Sequence, residues 1–293
     1  MQKSLFDRNL VWPTSLENEI QVEKRKIKKF TDEQYLEKFL QFNKIIGLPK
    51  HVKTDEPTPL TSIQKTFFQT YCSQTRQDKI HLNKARQCGW TEIVLRILAF
   101  NCFHKYMGRK IIIIPGTSQR TTKEIYGRFR RLFNNISGEI LVDGFLNMKL
   151  KNGTEIHGLP ALTEAITGWT RIAAVFMDED AKWNLVDDQP VINSILPIVR
   201  SNESDLFMIS TPRGPRGFFY SIENQKDTDC TKVVYDIHSG GQELYSNEER
   251  MQMINSSEED PEQEYLNQYV AGRDSIFGSL DEDDYEAFGE YQI

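Results

Sequence analysis

The stretch from Lys79 to Thr91, KIHLNKARQCGWT, constrains this chain more than any other. A short apolar strand runs into a loop, and residues 92–107, EIVLRILAFNCFHKYM, then read as a helix that is apolar nearly all round, with Gly108 as its stop. Such a helix must be buried. Next comes Lys110–Pro115, KIIIIP, a continuous apolar run of the kind found in central parallel strands. The other segments have to fit around this frame.

The loop itself resembles a phosphate cradle with its lysine displaced. The usual pattern is Gly, four residues, Gly, Lys, then Ser or Thr, because exposed backbone N–H groups and one lysine neutralise phosphates. Here the frame is filled by Lys84, Ala85, Arg86, Gln87, Cys88, Gly89, Trp90 and Thr91. Gly89 and Thr91 fit, the latter as a hydroxyl for magnesium, and the buried helix would point its N-terminus at bound phosphate. Trp90 stands where the lysine belongs, and a lysine stands at the front instead. By itself the loop is equally a plain strand-turn-helix connection.

The chain has 293 residues, enough for one large domain or two, and with 39% hydrophobic and 27% charged residues its composition is that of an ordinary soluble protein. There is no apolar run of spanning length, and MQKSLFDRNLVW lacks the pattern of a secretory signal, so an intracellular protein is expected. Cys72, Cys88, Cys102 and Cys230 are scattered without metal-ligand spacing, and buried thiols are expected. The net charge of −6 means that any nucleic-acid contact needs a local basic patch.

Residues 1–56 read as a peripheral N-terminal helical arm. It contains the basic run Glu23–Lys29, a solvated helix face or a DNA contact, and a helix capped by Thr31 with Tyr35, Phe39, Phe42 and Ile46 on one face. From Pro57 the character changes. Ile63, Phe67 and Tyr71 recur at helical spacing, with Gln64 near the helix start. That glutamine is either solvated or, as in ATP-driven nucleic-acid motors that carry one just upstream of the phosphate loop, reads the adenine edge through its amide.

Beyond KIIIIP, residues Gly116–Gln119 turn the chain, and Ile125, Phe129, Leu132, Phe133 and Ile136 mark one face of a helix whose other face carries Arg128, Arg130 and Arg131. Asn152 and Gly153, between two alternating runs, predict a tight hairpin inserted at the sheet edge. RIAAVFMDED, residues 171–180, is an apolar strand ending in Asp178 and Glu179. Two acids after a strand are often only a charged loop or a helix cap. A carboxylate at a strand tip can also hold magnesium through water, while the adjacent glutamate polarises an attacking water. FMISTP then places Ser210 and Thr211 at another strand end, able to hydrogen-bond the water or a γ-phosphate, and Arg213–Gly217 is either a simple turn or a loop touching phosphate.

Taken in this order, Gln64, the ARQCG loop, the NG hairpin, the TGWT turn, MDED, STPRG and PEQEYLNQYVAGRDSIF resemble the ATPase domain of viral large terminases, the motors that pump DNA into a preformed capsid, over roughly residues 57–277. The resemblance implies an α/β P-loop NTPase of the additional-strand, catalytic-glutamate type, with a central, mostly parallel sheet flanked by helices. It implies an ATPase core over 57–237 and a helical lid and acidic linker over 238–293. ATP would be bound by Gln64 and the loop residues Lys84, Ala85, Arg86, Gln87, Cys88, Gly89, Trp90 and Thr91, with Lys84 as the phosphate-binding lysine and Arg86 reaching the γ-phosphate. Thr91 and Asp178 would hold Mg2+, Glu179 would activate water, and Ser210 with Thr211 would couple hydrolysis to movement.

Implied partners are double-stranded DNA, a portal protein, a small terminase subunit and further copies of the chain in a ring, in the host cytoplasm on a procapsid and without a membrane. Two departures stand out. Thr167 and Gly168 occupy the place where many relatives carry Arg-Gly, the arginine reaching a neighbouring subunit, and Arg171 lies nearby. Secondly, large terminases continue into a metal-dependent nuclease domain, whereas the acidic stretch from Ser279 to Ile293 reads as linker, because one contiguous acidic run cannot converge on a metal. Nuclease activity is therefore expected from a separate domain or subunit. Two other functions share some of these motifs: a non-hydrolysing DNA-binding or assembly subunit with a degenerate loop, and a helicase-like DNA-dependent ATPase. The second would require another domain of the same kind in the roughly 80 residues after Thr211.

Overall fold

The computed structural model describes residues 31–51, 54–73, 78–183, 188–226, 228–256 and 260–270; the basic run at 23–29 and the acidic stretch after 278 lie outside them. Eight strands form one sheet in the order β3-β4-β5-β2-β6-β7-β1-β8. They are β1 (Lys79–Lys84), β2 (Lys110–Ile114), β3 (Ile140–Asp143), β4 (Asn147–Leu150), β5 (Glu155–Gly158), β6 (Ile172–Asp178), β7 (Asp205–Ser210) and β8 (Cys230–Tyr235). From β5 to β8 every neighbouring pair is parallel, and the antiparallel β4 joins β3 to β5 at one edge. The Asn152-Gly153 turn connects β4 to β5, with Gly153 at φ 85°, so the expected edge hairpin is present.

Ten helices cover the two faces among the described residues: α1 (Asp32–Ile46), α2 (Ser62–Cys72), α3 (Trp90–Asn101), α4 (Gln119–Arg131), α5 (Thr163–Ile166), α6 (Gln189–Asn202), α7 (Gly217–Asn224), α8 (Ile237–Gly240), α9 (Asn247–Ser256) and α10 (Pro261–Glu264). Strand side chains alternate between the faces, so the four isoleucines of β2 divide equally. Ile111 and Ile113 join Phe176, Phe207 and α1–α4 on one side; Ile112 and Ile114 join Val175, Met208 and α6 on the other. Each fully buried isoleucine contributes about 1.5–3 kcal/mol relative to exposure. A strand that is apolar throughout is stable only where both of its faces are covered.

Two expectations are corrected here. The arm helix α1 is not peripheral: Phe39 is fully buried, stacks on Phe68 at 4.0 Å between ring centres and meets Phe100 edge-on at 5.4 Å. Arg96 of α3 fastens it further, donating to Asn43 Oδ1 (2.8 Å) and to the Gly47 carbonyl (2.7 Å). The second concerns the length of α3. It ends at Asn101, well short of Gly108, because the N–H groups of His104, Lys105 and Tyr106 all converge on the Asn101 carbonyl and wind the chain out of the helix.

Candidate nucleotide site at the strand tips

Because β7 lies between β6 and β1, the C-terminal tips of these three strands are neighbours. Register pairs Asp178 with Ile209 and Asn83 with Ser210, which one residue further on sets Glu179 level with Ser210 and Lys84 level with Thr211. Lys84, the last residue of β1 and not a loop residue, is 5% exposed and its ammonium contacts Glu179 Oε1. Burial opposes its charge, but Glu179 and then Asp178 outweigh it and raise its pKa. The same contact acts on Glu179 in reverse: burial pushes its carboxyl up, whereas Lys84 and Lys182 pull it below its ordinary value. Ser210 Oγ and Thr211 Oγ1 each stand 3.5 Å from Glu179 Oε2, at the outer limit of a hydrogen bond. Glu179 itself adopts a left-handed backbone, φ 52°, which non-glycine residues accept at a cost and which clusters at functional sites.

On the loop side, Gly89 (φ 75°) opens α3 without any side-chain cap, leaving the first-turn N–H groups available to an anion. Thr91 Oγ1 donates to Asp178 Oδ1 at 3.0 Å, tying the helix start to the tip of β6. Burial, with the charge of Glu179 next, raises the Asp178 pKa. Neighbouring Asp180 is raised further by burial, and neither of its carboxyl oxygens has a hydrogen-bond partner. Among the described residues no three His, Cys, Asp or Glu side chains cluster as a metal cage. Magnesium does not need one, since it is commonly held by one or two protein oxygens together with phosphates.

The other loop residues have different surroundings. The Trp90 indole is 1% exposed, stacks flat on Tyr235 at 4.6 Å and meets Phe67 edge-on. Its ring belongs to the core, which limits any contribution to a phosphate to its main chain. Ala85 is fully buried, its N–H donating to the Tyr235 carbonyl. The Cys88 thiol is also buried, and burial pushes its pKa up to about 12. Gln87 (φ 61°) offers its carbonyl to Tyr245 Oη at 2.9 Å. Gln64 does not hold its amide free: Oε1 accepts from the Thr61 N–H in a capping box, and Nε2 donates to the Cys88 carbonyl at 3.1 Å. Arg86 pairs with Glu264, Nε to Oε2, at 2.9 Å.

Glu264 belongs to a segment that sequence reading gave no site role. Its carboxylate also contacts Lys182, and its carbonyl accepts from the Arg86 N–H. Gln263, Tyr265, Asn267 and Tyr269 bond in turn to Gly214, Ile237, Asn83 and Glu223, so residues 260–270 strap the strand tips together. No periodicity marks such a strap, because each contact joins positions far apart in sequence. Beside the loop lies a cavity of about 670 Å³ lined by Gln64, Gln87, Gly89, Leu60, Arg128 and Tyr245 among others. Arg171 is elsewhere: it sits before β6, at the far end from Asp178, and donates to the Gly108 carbonyl.

A parallel sheet with an uncapped glycine turn leading into a buried helix, and acids on the neighbouring strand tip, defines a P-loop NTPase fold. The chain belongs to the terminase large subunit family, T4-like-virus type, whose N-terminal model matches residues 81–282. It is similar to the ATPase domain of the Thermus phage P74-26 large terminase, with 18% identity, TM-score 0.57, and coverage of 72% of this chain and 94% of that one. The bacteriophage HK97 large terminase matches with 18% identity and TM-score 0.63 over 80% of this chain and 55% of its own. The large terminase of a thermophilic bacteriophage matches with 14% identity and TM-score 0.58 over 73% and 54% respectively. This chain thus spans about half the length of those two terminases. The thermophilic phage protein has also been solved with ADP and with ATP-γ-S. No curated protein matches the chain significantly. Among the described residues, no helix is long and apolar enough to cross a membrane.

Proposed function

We propose that this chain is a magnesium-dependent ATPase that drives double-stranded DNA into a procapsid, acting as a homo-oligomeric ring on the portal with the small terminase subunit, in the host cytoplasm. Membership of the terminase family supports a DNA-packaging motor. The observation that carries the chemistry is the convergence of Lys84, Asp178, Glu179, Ser210 and Thr211 on adjoining strand tips, with Thr91 on Asp178. The nucleotide-bound forms of the thermophilic phage terminase support ATP as the ligand.

In this reading the N–H groups of residues 87–90 and the Lys84 ammonium cradle the phosphates, and the base enters the cavity beside Gln64. Thr91 and Asp178 fit Mg2+, which would neutralise charge developing on the phosphates. Before ATP arrives, Lys84 keeps Glu179 ionised and occupied. Phosphate competes for that lysine, releasing Glu179 to orient water and accept its proton, while Ser210 and Thr211 steer the carboxylate. Glu179→Gln should lower turnover about 10²–10⁴-fold with nucleotide binding retained. DNA-stimulated phosphate release measures this, and near-normal hydrolysis by the variant would reject the role. Lys84→Ala should weaken nucleotide binding far more than Trp90→Ala, whose main effect is on folding; the reverse order would reject the loop assignment.

A further inference from the structure

We propose that Tyr245 is a positioning residue for the phosphate loop: its hydroxyl holds the Gln87–Cys88 peptide in the orientation that aims the Cys88 N–H at a bound phosphate. The role rests on the ATP reading of the loop. The N–H groups of Ala85 and Arg86 are already engaged by the Tyr235 and Glu264 carbonyls, which leaves those from Gln87 onward to meet an anion. Where these point is set by their carbonyls, because in a trans peptide the C=O and the following N–H face opposite ways. Tyr245 Oη donates to the Gln87 carbonyl at 2.9 Å, and Gln64 Nε2 donates to the Cys88 carbonyl at 3.1 Å. With both carbonyls drawn to side chains, the N–H groups of Cys88 and Gly89 are turned the other way, and neither has a hydrogen-bond partner among the described residues.

The two struts are not equivalent. Gly89 takes its φ of 75° freely, whereas Gln87, at φ 61°, occupies a left-handed backbone that its Cβ disfavours. Something must hold it there. Tyr245 is 5% exposed, its N–H donates to the Gly241 carbonyl at 3.0 Å, and its own carbonyl accepts from Arg250 Nη1 at 2.7 Å. Two residues earlier, Glu243 Oε1 accepts from the Ser62 N–H at 2.8 Å, so the turn carrying the tyrosine is fastened to α2, the helix that carries Gln64. Burial pushes the phenol up to about 12, which keeps it a donor at neutral pH. Without the hydroxyl, Gln87 relaxes toward right-handed backbone, its peptide turns over and one phosphate donor is lost. The ring also lines the cavity proposed for the base, so the hydroxyl has to be tested apart from it.

Tyr245→Phe removes the hydroxyl and keeps the ring. In the full chain it should weaken ADP binding about fivefold, the scale of one hydrogen bond, and inorganic pyrophosphate, measured by competition with ADP, by the same factor. Adding Gln87→Gly should recover most of that loss, because glycine takes the positive φ unaided. Gln87→Val approaches from the other side: the Gln87 side chain is exposed, so little packing is disturbed, and a β-branched residue resists the left-handed region. It should weaken both probes at least as much as Tyr245→Phe. Unchanged binding by either single variant, a loss for ADP that pyrophosphate does not share, or a loss that glycine does not mend would each overturn the proposal, the last two placing Tyr245 against the base or in general packing. Wild-type protein that binds neither probe would refute the ATP reading and the strut with it, whereas wild-type binding with an unmended loss in the variant would refute only the strut.

Discussion

Strand β7 has a lysine–carboxylate cluster at each end, and the two are built differently. At its start, Asp205 is 2% exposed in its side chain and fully served: it accepts from Tyr106 Oη at 2.6 Å, Tyr71 Oη at 3.0 Å and Lys105 Nζ at 2.8–2.9 Å. At its end, Asp178 accepts from Thr91 and Glu179 from Lys84, the hydroxyls of Ser210 and Thr211 stand off at 3.5 Å, and neither carboxyl oxygen of Asp180 has a hydrogen-bond partner. One corner is saturated and holds the fold together. The other is short of donors and strained at Glu179, which suits groups that must exchange partners with a ligand.

The largest effect expected is at the saturated corner. Asp205→Ala removes the acceptor of two buried tyrosine hydroxyls, of which only one can turn to the other, 3.2 Å away, and should destabilise the chain by about 3–5 kcal/mol in urea unfolding. A loss below about 1 kcal/mol would erase the distinction between the corners. Acid should act next, just beyond the end of α3. His104 stacks on Phe100, and burial lowers its pKa to about 4. Because the folded pKa lies below the unfolded value near 6.5, stability is intact above about 6.5, falls as the pH drops toward 4 and levels off below it, by about 1–3 kcal/mol. Comparing wild type with His104→Asn at pH 7 and pH 4.5 isolates the effect; parallel losses in both proteins would exclude it.

Much of this architecture is legible in the sequence, for identifiable reasons. Ile111–Ile114 announce a strand covered on both faces, Thr31 and Thr61 start their helices with capping boxes, and Asn152-Gly153 forces its turn. Such signals are local. The end of α3 is not legible, because the Asn101 carbonyl gathers three N–H groups through backbone geometry that hydrophobicity does not encode. At the candidate site, Lys84, Asp178 and Glu179 can be named because their strand tips carry them, and Thr91 because it follows the loop glycine at the helix start. Glu264 cannot, because its meaning depends on Arg86 and Lys182 in distant segments. Gln64 is intermediate, lying beside the loop yet occupied by Thr61 and Cys88.

The contrast sharpens with two smaller effects of opposite sign. Asp178 is buried beside Glu179 and its pKa is raised, so its ionised form works against folding at neutral pH when nucleotide and metal are absent. Asp178→Asn should therefore stabilise the nucleotide-free chain by about 1 kcal/mol, and a loss of stability would show that the strand-tip cluster is structural after all. Lys105→Met should do least. Its side chain is 43% exposed, and solvent screens its attraction to Asp205, which keeps both tyrosine donors. A cost under about 1 kcal/mol is expected. If Lys105→Met instead cost as much as Asp205→Ala, the corner would be held by its ion pair rather than by saturated hydrogen bonds. The two ends of β7 would then differ in solvent access, not in how completely their carboxylates are served.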